Sequence, residues 1–209
     1  MYLKLLRQLI RENIELEKIA FGSKRKDEIP FEEEDTTSES ILLKNILAYL
    51  KDNMQPTKEQ ALTIKKFLAT KKYPDMFSPP HVETIYRSIS VNPEEISQIT
   101  GIDKDRFDMK FGKENVNIFI TPRNGYISSW SSNFSSALNF GRNLNLRAQN
   151  KEDIIIVFEA KTSNNHNLLD IQNFYDKIDN PLMQTIRNEK EIWAIGPVKI
   201  SLVKWYRQH

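Results

Sequence analysis

Residues 154–162 read IIIVFEAKT, a nearly unbroken apolar run rich in strand-forming residues. A strand with one wet face alternates apolar and polar side chains, whereas one that is apolar on both faces must be covered on both. The chain therefore needs a sheet with this segment near its centre and further elements on either side. At 209 residues it is long enough to bury such a core without a metal or a disulfide. It has no cysteine, which excludes a disulfide framework, a zinc–thiolate site and a cysteine nucleophile. No apolar stretch approaches the ~20 residues that span a bilayer. The opening segment MYLKLLRQLIRENIELEKIA mixes apolar and charged residues, unlike a secretory signal, so the expectation is a cytoplasmic protein with no membrane partner.

The pattern divides near residue 80. Before it the texture is helical. Leu3, Leu6, Ile10 and Ile14 predict an amphipathic helix over 2–19, and the charged stretch 22–40 reads as a solvated loop. Thr36 with Glu39, and Thr57 with Gln60, have capping-box spacing and predict helices over about 38–52 and 58–70. The proline-rich KKYPDMFSPPH then stops helical structure. After it, VETIYRSIS (82–90), VNIFIT (116–121), YISSWS (126–131), the run at 154–162, EIWAI (191–195) and VKISLVKWY (198–206) read as strands. The last two, joined by Gly196-Pro197, are expected to form a terminal hairpin. Asn92-Pro93-Glu94-Glu95 opens a short helix, Pro122–Gly125 is a turn, and 133–144 and 167–178 are expected to be helical. The expected class is α+β, with a helical lobe over 1–80 and a compact strand-rich unit over 81–209.

Three strands carry polar residues where a sheet core would not. Period-2 alternation puts Arg87 on one face with Ile85 and Ile89. It puts Ser129 and Ser131 on the face opposite Trp130, which is expected to be a core anchor. It also puts Glu189 and Glu191 on one side of a strand start, where two like charges repel unless a cation or substrate meets them. Each has a plain structural reading: a rim arginine, a strand end of short side chains, a solvated pair of acids. Together they suit one chemistry. A guanidinium pins a pyrophosphate, serines orient the polar groups, and a carboxylate stabilises positive charge developing at an anomeric carbon. Three scattered histidines, His81, His166 and His209, make no zinc site.

In that order, these segments resemble the mono-ADP-ribosyltransferase family of the Arg-Ser-Glu type, in particular small bacteriophage and bacterial members. IYRSIS resembles the family's arginine strand. ISSWSSNFSSALNFG resembles its Ser-x-Ser strand followed by a helix with Ala-x-x-Phe, here Ala137 and Phe140, six and nine residues after Ser131. RNEKEIWAIGPVKI resembles its Glu-x-Glu strand, and the likeness spans about 82–206. It implies an ADP-ribosyltransferase-like core of two sheets over 81–209 that binds NAD as co-substrate, with no metal.

By the resemblance, Arg87 binds the NAD phosphate or its ribose, Ser129 and Ser131 organise the site, Glu191 stabilises the transition state and Glu189 orients the acceptor. Arg142 or Arg147 is the candidate second cofactor arginine. The family carries Gly after the strand arginine, where backbone approaches the nicotinamide amide; this chain has Ser88, whose Cβ narrows that approach but whose backbone groups remain available, so the resemblance implies Ser88 too as a cofactor-binding position. Glu at the first acidic position goes with a protein arginine of the host cell as acceptor, and 179–188 would face it. Two other readings share the sequence: a toxin that modifies a nucleic-acid base, to which a net charge of +2 gives no strong footprint, and an inactive NAD-binding interaction module. An antitoxin or inhibitor protein is a further expected partner.

Overall fold

The computed structural model describes residues 41–42, 45, 56–70, 77–121, 126–148, 153–172 and 190–207. The expected helix over 2–19, the charged stretch 22–40 and the turn Pro122–Gly125 lie outside them, as does the 38–52 helix apart from helical Ile41, Leu42 and Asn45. Helix α1 (Lys58–Ala69) starts at the anticipated capping box: Gln60 N–H donates to the Thr57 hydroxyl at 3.3 Å, and Thr57 N–H donates to the Gln60 side chain at 2.9 Å. Its buried stripe is Ala61, Ile64 and Leu68, and the helix lies against β6 (Glu191–Ile195).

Strand β1 (Thr84–Val91) runs into α2 (Pro93–Thr100), which is capped by Asn92 and closed by Gly101 in the left-handed conformation at φ 73°. A short 3-10 turn, Lys104–Asp108, buries Phe107. Strands β2 (Phe111–Ile120) and β3 (Ile127–Ser131), helix α3 (Phe134–Ala148) and strands β4 (Ile154–Lys161), β5 (Leu168–Asp170), β6 and β7 (Val198–Tyr206) complete the described chain. The strands form one antiparallel seven-stranded sheet in the order β2-β7-β4-β1-β3-β6-β5. The chain is thus α+β.

The apolar run is central and covered on both faces. Ile154, Ile156 and Phe158 enter the main core with Ile85, Trp130, Ile192 and Trp205, while Ile155 and Val157 pack under Leu138 of α3. Phe140, expected on the same helical stripe, is 55% exposed; Ala137 and Leu138 carry the buried face.

Two expectations fail on topology. Residues 168–170, expected within a helix over 167–178, are a strand: Leu168 and Leu169 are buried against Ala194 and Trp193 of β6, and tertiary pairing overrides a weak helical period there, while Gln172 is helical and 173–178 lie outside the described residues. β6 and β7 are not a hairpin either. β6 pairs with β3 and β5, and β7 pairs with β4 and β2.

That arrangement constrains the shape. In strand order β6 and β7 stand four places apart, about 19 Å in a flat sheet at the usual strand spacing. Only Gly196 and Pro197 join Ile195 to Val198, a reach of about 11 Å. The sheet therefore folds over, bringing the inner faces of its two halves onto one core. A core of two sheets was expected; the described strands form a single sheet instead. Its weakest join is between β1 and β3, which register at one pair, Tyr86↔Ser131, whereas β1 and β4 register along their full length.

Two buried asparagines hold the tight corner. Asn165 donates to the carbonyls of Lys161 at 2.9 Å and Lys199 at 3.1 Å, and accepts from Lys199 N–H at 2.7 Å. Asn167 donates to the carbonyls of Ile195 at 2.8 Å and Pro197 at 3.0 Å. Removing such a donor leaves buried carbonyls unsatisfied. Asn167→Ala should lower the unfolding free energy by about 1–3 kcal/mol, read by urea denaturation; a change below about 0.5 kcal/mol, the range of neutral surface substitutions, would show that the corner holds without it.

Candidate active site

The site forms where the β1–β3 ladder gives out. One step beyond Tyr86↔Ser131, alternation would set Ser88 opposite Ser129, but no pair is registered there. Instead the Arg87 guanidinium donates from Nη1 to the Ser129 carbonyl at 2.7 Å. Arg87 belongs to the inner face, with Ile85 buried in the core and Ile89 packed against it. The sequence offered a rim or a cleft for it; it stands at the crease between the halves of the sheet, half-buried.

Ser129 links the arginine to the carboxylate. Its hydroxyl donates to Oε1 of Glu191, and its carbonyl accepts from Arg87. The β3–β6 register sets Ser131 opposite Glu191 and Ser129 opposite Trp193, so these four side chains share one face; Trp130 and Ile192 take the other, the inner face to which Arg87 belongs, and Arg87 therefore reaches Ser129 through its main-chain carbonyl. Trp130 is the anticipated core anchor, 3% exposed, with its indole N–H donated to the Ser128 hydroxyl at 3.0 Å. Glu191 is 6% exposed. Burying a carboxylate costs several kcal/mol unless donors replace water, and hydrogen bonds to a charged acceptor contribute about 1.5–3 kcal/mol each. Ser129 supplies one such donor. The Trp193 indole supplies another, from Nε1 to the same Oε1 at 2.9 Å.

The remaining sequence candidates separate. The Ser131 hydroxyl accepts from Asn133 N–H at 3.0 Å, and the Asn133 side chain accepts from Ser136 N–H at 3.1 Å, so Ser131 helps turn β3 into α3 beside the site. Ser88 is 3% exposed and donates its hydroxyl to the Ala137 carbonyl. Its Cβ therefore points under α3 and not along the seam. Arg142 is exposed on α3, and its charge acts on Tyr206 of β7, on the far side of β1 and β4 from Glu191; it does not join the cluster. Burial holds the Tyr206 phenol above its ordinary value, while the Lys204 and Arg142 cations pull it back. The Arg147 side chain and Glu189 lie outside the described residues. Lys190, immediately before Glu191, sits at φ 47°, outside the extended region. Its carbonyl accepts from Ser132 N–H at 3.0 Å, tying the start of β6 to the β3–α3 corner. Among the described residues no group of His, Cys, Asp or Glu is placed to hold a metal ion, and no helix is long and apolar enough to cross a membrane.

Sequence reasoning found Arg87, Ser129 and Glu191 but passed over Trp193. The signal was there: a tryptophan two residues after a strand glutamate lies on the same face with an N–H to place. Compared with protein-family models, curated proteins and solved structures, the chain matches none.

The placement of Ser88 depends on Gly141, where an added Cβ would stand 2.8 Å from the Ser88 hydroxyl, 2.9 Å from its Cβ and 2.8 Å from Ile155 Cγ2. Gly141→Ala should destabilise the protein by about 1–3 kcal/mol through overpacking. Adding Ser88→Gly should return part of that loss, because the Ile155 contact stays. Equal melting temperatures for the single and double variants would contradict this packing.

Proposed function

We propose that the chain is an NAD-dependent mono-ADP-ribosyltransferase with an ADP-ribosyltransferase-like core, transferring ADP-ribose to a protein arginine in the host cytoplasm. One observation carries the reading: Arg87, Ser129 and Glu191, distant in sequence, meet at Ser129, whose carbonyl takes the guanidinium and whose hydroxyl holds the carboxylate. The donor set fits the substrate. A fixed cation beside a sheet crease suits a pyrophosphate or its ribose. A buried carboxylate that accepts from a serine hydroxyl and an indole N–H suits a ribose hydroxyl and the positive charge that grows at the anomeric carbon.

In this mechanism Arg87 and Ser129 orient NAD so that its nicotinamide riboside lies beside Glu191. The bond between the anomeric carbon and the nicotinamide nitrogen breaks, and its electron pair leaves with neutral nicotinamide. Glu191 stabilises the oxocarbenium-like transition state through its charge and a hydrogen bond from the ribose. An acceptor guanidine nitrogen then attacks the opposite face of the sugar and gives up a proton. Glu189 is assigned to orienting that acceptor by the sequence resemblance alone.

Glu191→Gln keeps the size of the side chain and removes the charge. It should cut nicotinamide release from NAD by about 100-fold or more, in the range seen when one preorganised electrostatic group is lost, with thermal stability changed little. Equal release by the two purified proteins would remove Glu191 from the mechanism. Incubation of a bacterial lysate with labelled NAD and the active protein should place hydroxylamine-sensitive label on protein; label on nucleic acid would exclude the arginine acceptor.

A further inference from the structure

We infer that Trp193 is a positioning residue for Glu191, and that its indole N–H, together with the Ser129 hydroxyl, sets the carboxylate for the reaction. The inference rests on the transferase reading of the site and adds to it a residue outside the arginine, serine and glutamate on which that reading stands.

The geometry points to a specific task. Trp193 is fully buried at the centre of β6, opposite Ser129 on β3 and Leu169 on β5. A fully buried apolar position of this size could be filled by phenylalanine without any polar obligation. Tryptophan brings an N–H that must find an acceptor. Here the acceptor is Oε1 of Glu191, at 2.9 Å, the same oxygen that takes the Ser129 hydroxyl. Two donors on one carboxylate oxygen fix the rotation of the carboxyl group as well as its position. The donors come from different strands, and the cross-strand pair Ser129↔Trp193 places them side by side. Both donors are neutral. The indole is itself locked, because Trp193 is fully buried and its strand is paired on both edges. Groups held this way lose little by reorganisation during the reaction.

Trp193→Phe keeps the ring in the core and removes the donor. On this account it slows nicotinamide release at least about ten-fold, the scale of one hydrogen bond to a charged group, while KM for NAD stays within about two-fold. In a Glu191→Gln background the same substitution has no further effect on the residual rate, because a residue that acts through Glu191 has nothing left to act on. A packing role would instead lower the rate in both backgrounds. A second readout does not depend on the variant folding. In ¹⁵N-labelled wild-type protein, the Trp193 indole N–H resonance should move when NAD is added to saturation, and should start from a different position in Glu191→Gln. A Trp193→Phe protein as active as wild type, additive losses in the double variant, or an indole resonance indifferent to both NAD and Glu191→Gln would each overturn the inference. A wild-type chain that releases no nicotinamide would bring down the transferase reading beneath it, whereas an active wild type matched by Trp193→Phe brings down this inference alone.

Discussion

Two residues cannot carry a chain across four strand spacings of a flat sheet, and in this protein Gly196 and Pro197 are all that separate β6 from β7. The folded sheet follows from that link. Once its halves close on each other, Ile85, Phe158 and Trp205 share a core with Trp130, Ile192 and Ala194. The ladder is shortest at the single β1–β3 pair. A broken ladder exposes main-chain groups that must be satisfied in some other way, and the Arg87 bond to the Ser129 carbonyl does this for one of them. The polar cluster is thus a product of the fold's own constraint, with Asn165 and Asn167 holding the opposite corner.

The balance of terms at the cluster explains why it sits at the margin of the core and not within it. Glu191 is nearly buried, and two neutral donors offset part of its desolvation. Replacing the set with apolar residues would serve stability as well or better. A buried carboxylate tied to a serine and an indole, with a guanidinium one residue away, is a costly way to fill a sheet seam. That cost supports a chemical use for the cluster.

Much of this was legible in the sequence, and the reasons are local. Asn92-Pro93 and the Thr57–Gln60 pair announce helix starts because capping satisfies amides within one turn. Period-2 alternation placed Ser129 opposite Trp130 because a strand permits nothing else. The run at 154–158 demanded cover on both faces and has it. What failed was pairing. Gly196-Pro197 marks a change of direction but does not name the next strand's neighbour, so a crossover read as a hairpin. Leu168-Leu169-Asp170 is too short to declare itself a strand without Trp193 and Ala194 beside it. The tasks of Trp193, Asn165 and Asn167 were hidden for the same reason: each is fixed by an acceptor supplied through tertiary structure. Arg142 shows the converse, since a cation at a plausible spacing in sequence lies by Tyr206, away from Glu191.

The central claim is that Arg87, Ser129 and Glu191 serve one dinucleotide. Calorimetric titration with NAD addresses it most directly, because it needs neither turnover nor a known acceptor. The account predicts a single site in the wild-type protein, with affinity at least about ten-fold weaker in Arg87→Ala, as expected for the loss of a charged hydrogen-bonding partner. Absence of binding by the folded wild type, or equal binding by Arg87→Ala, would contradict it.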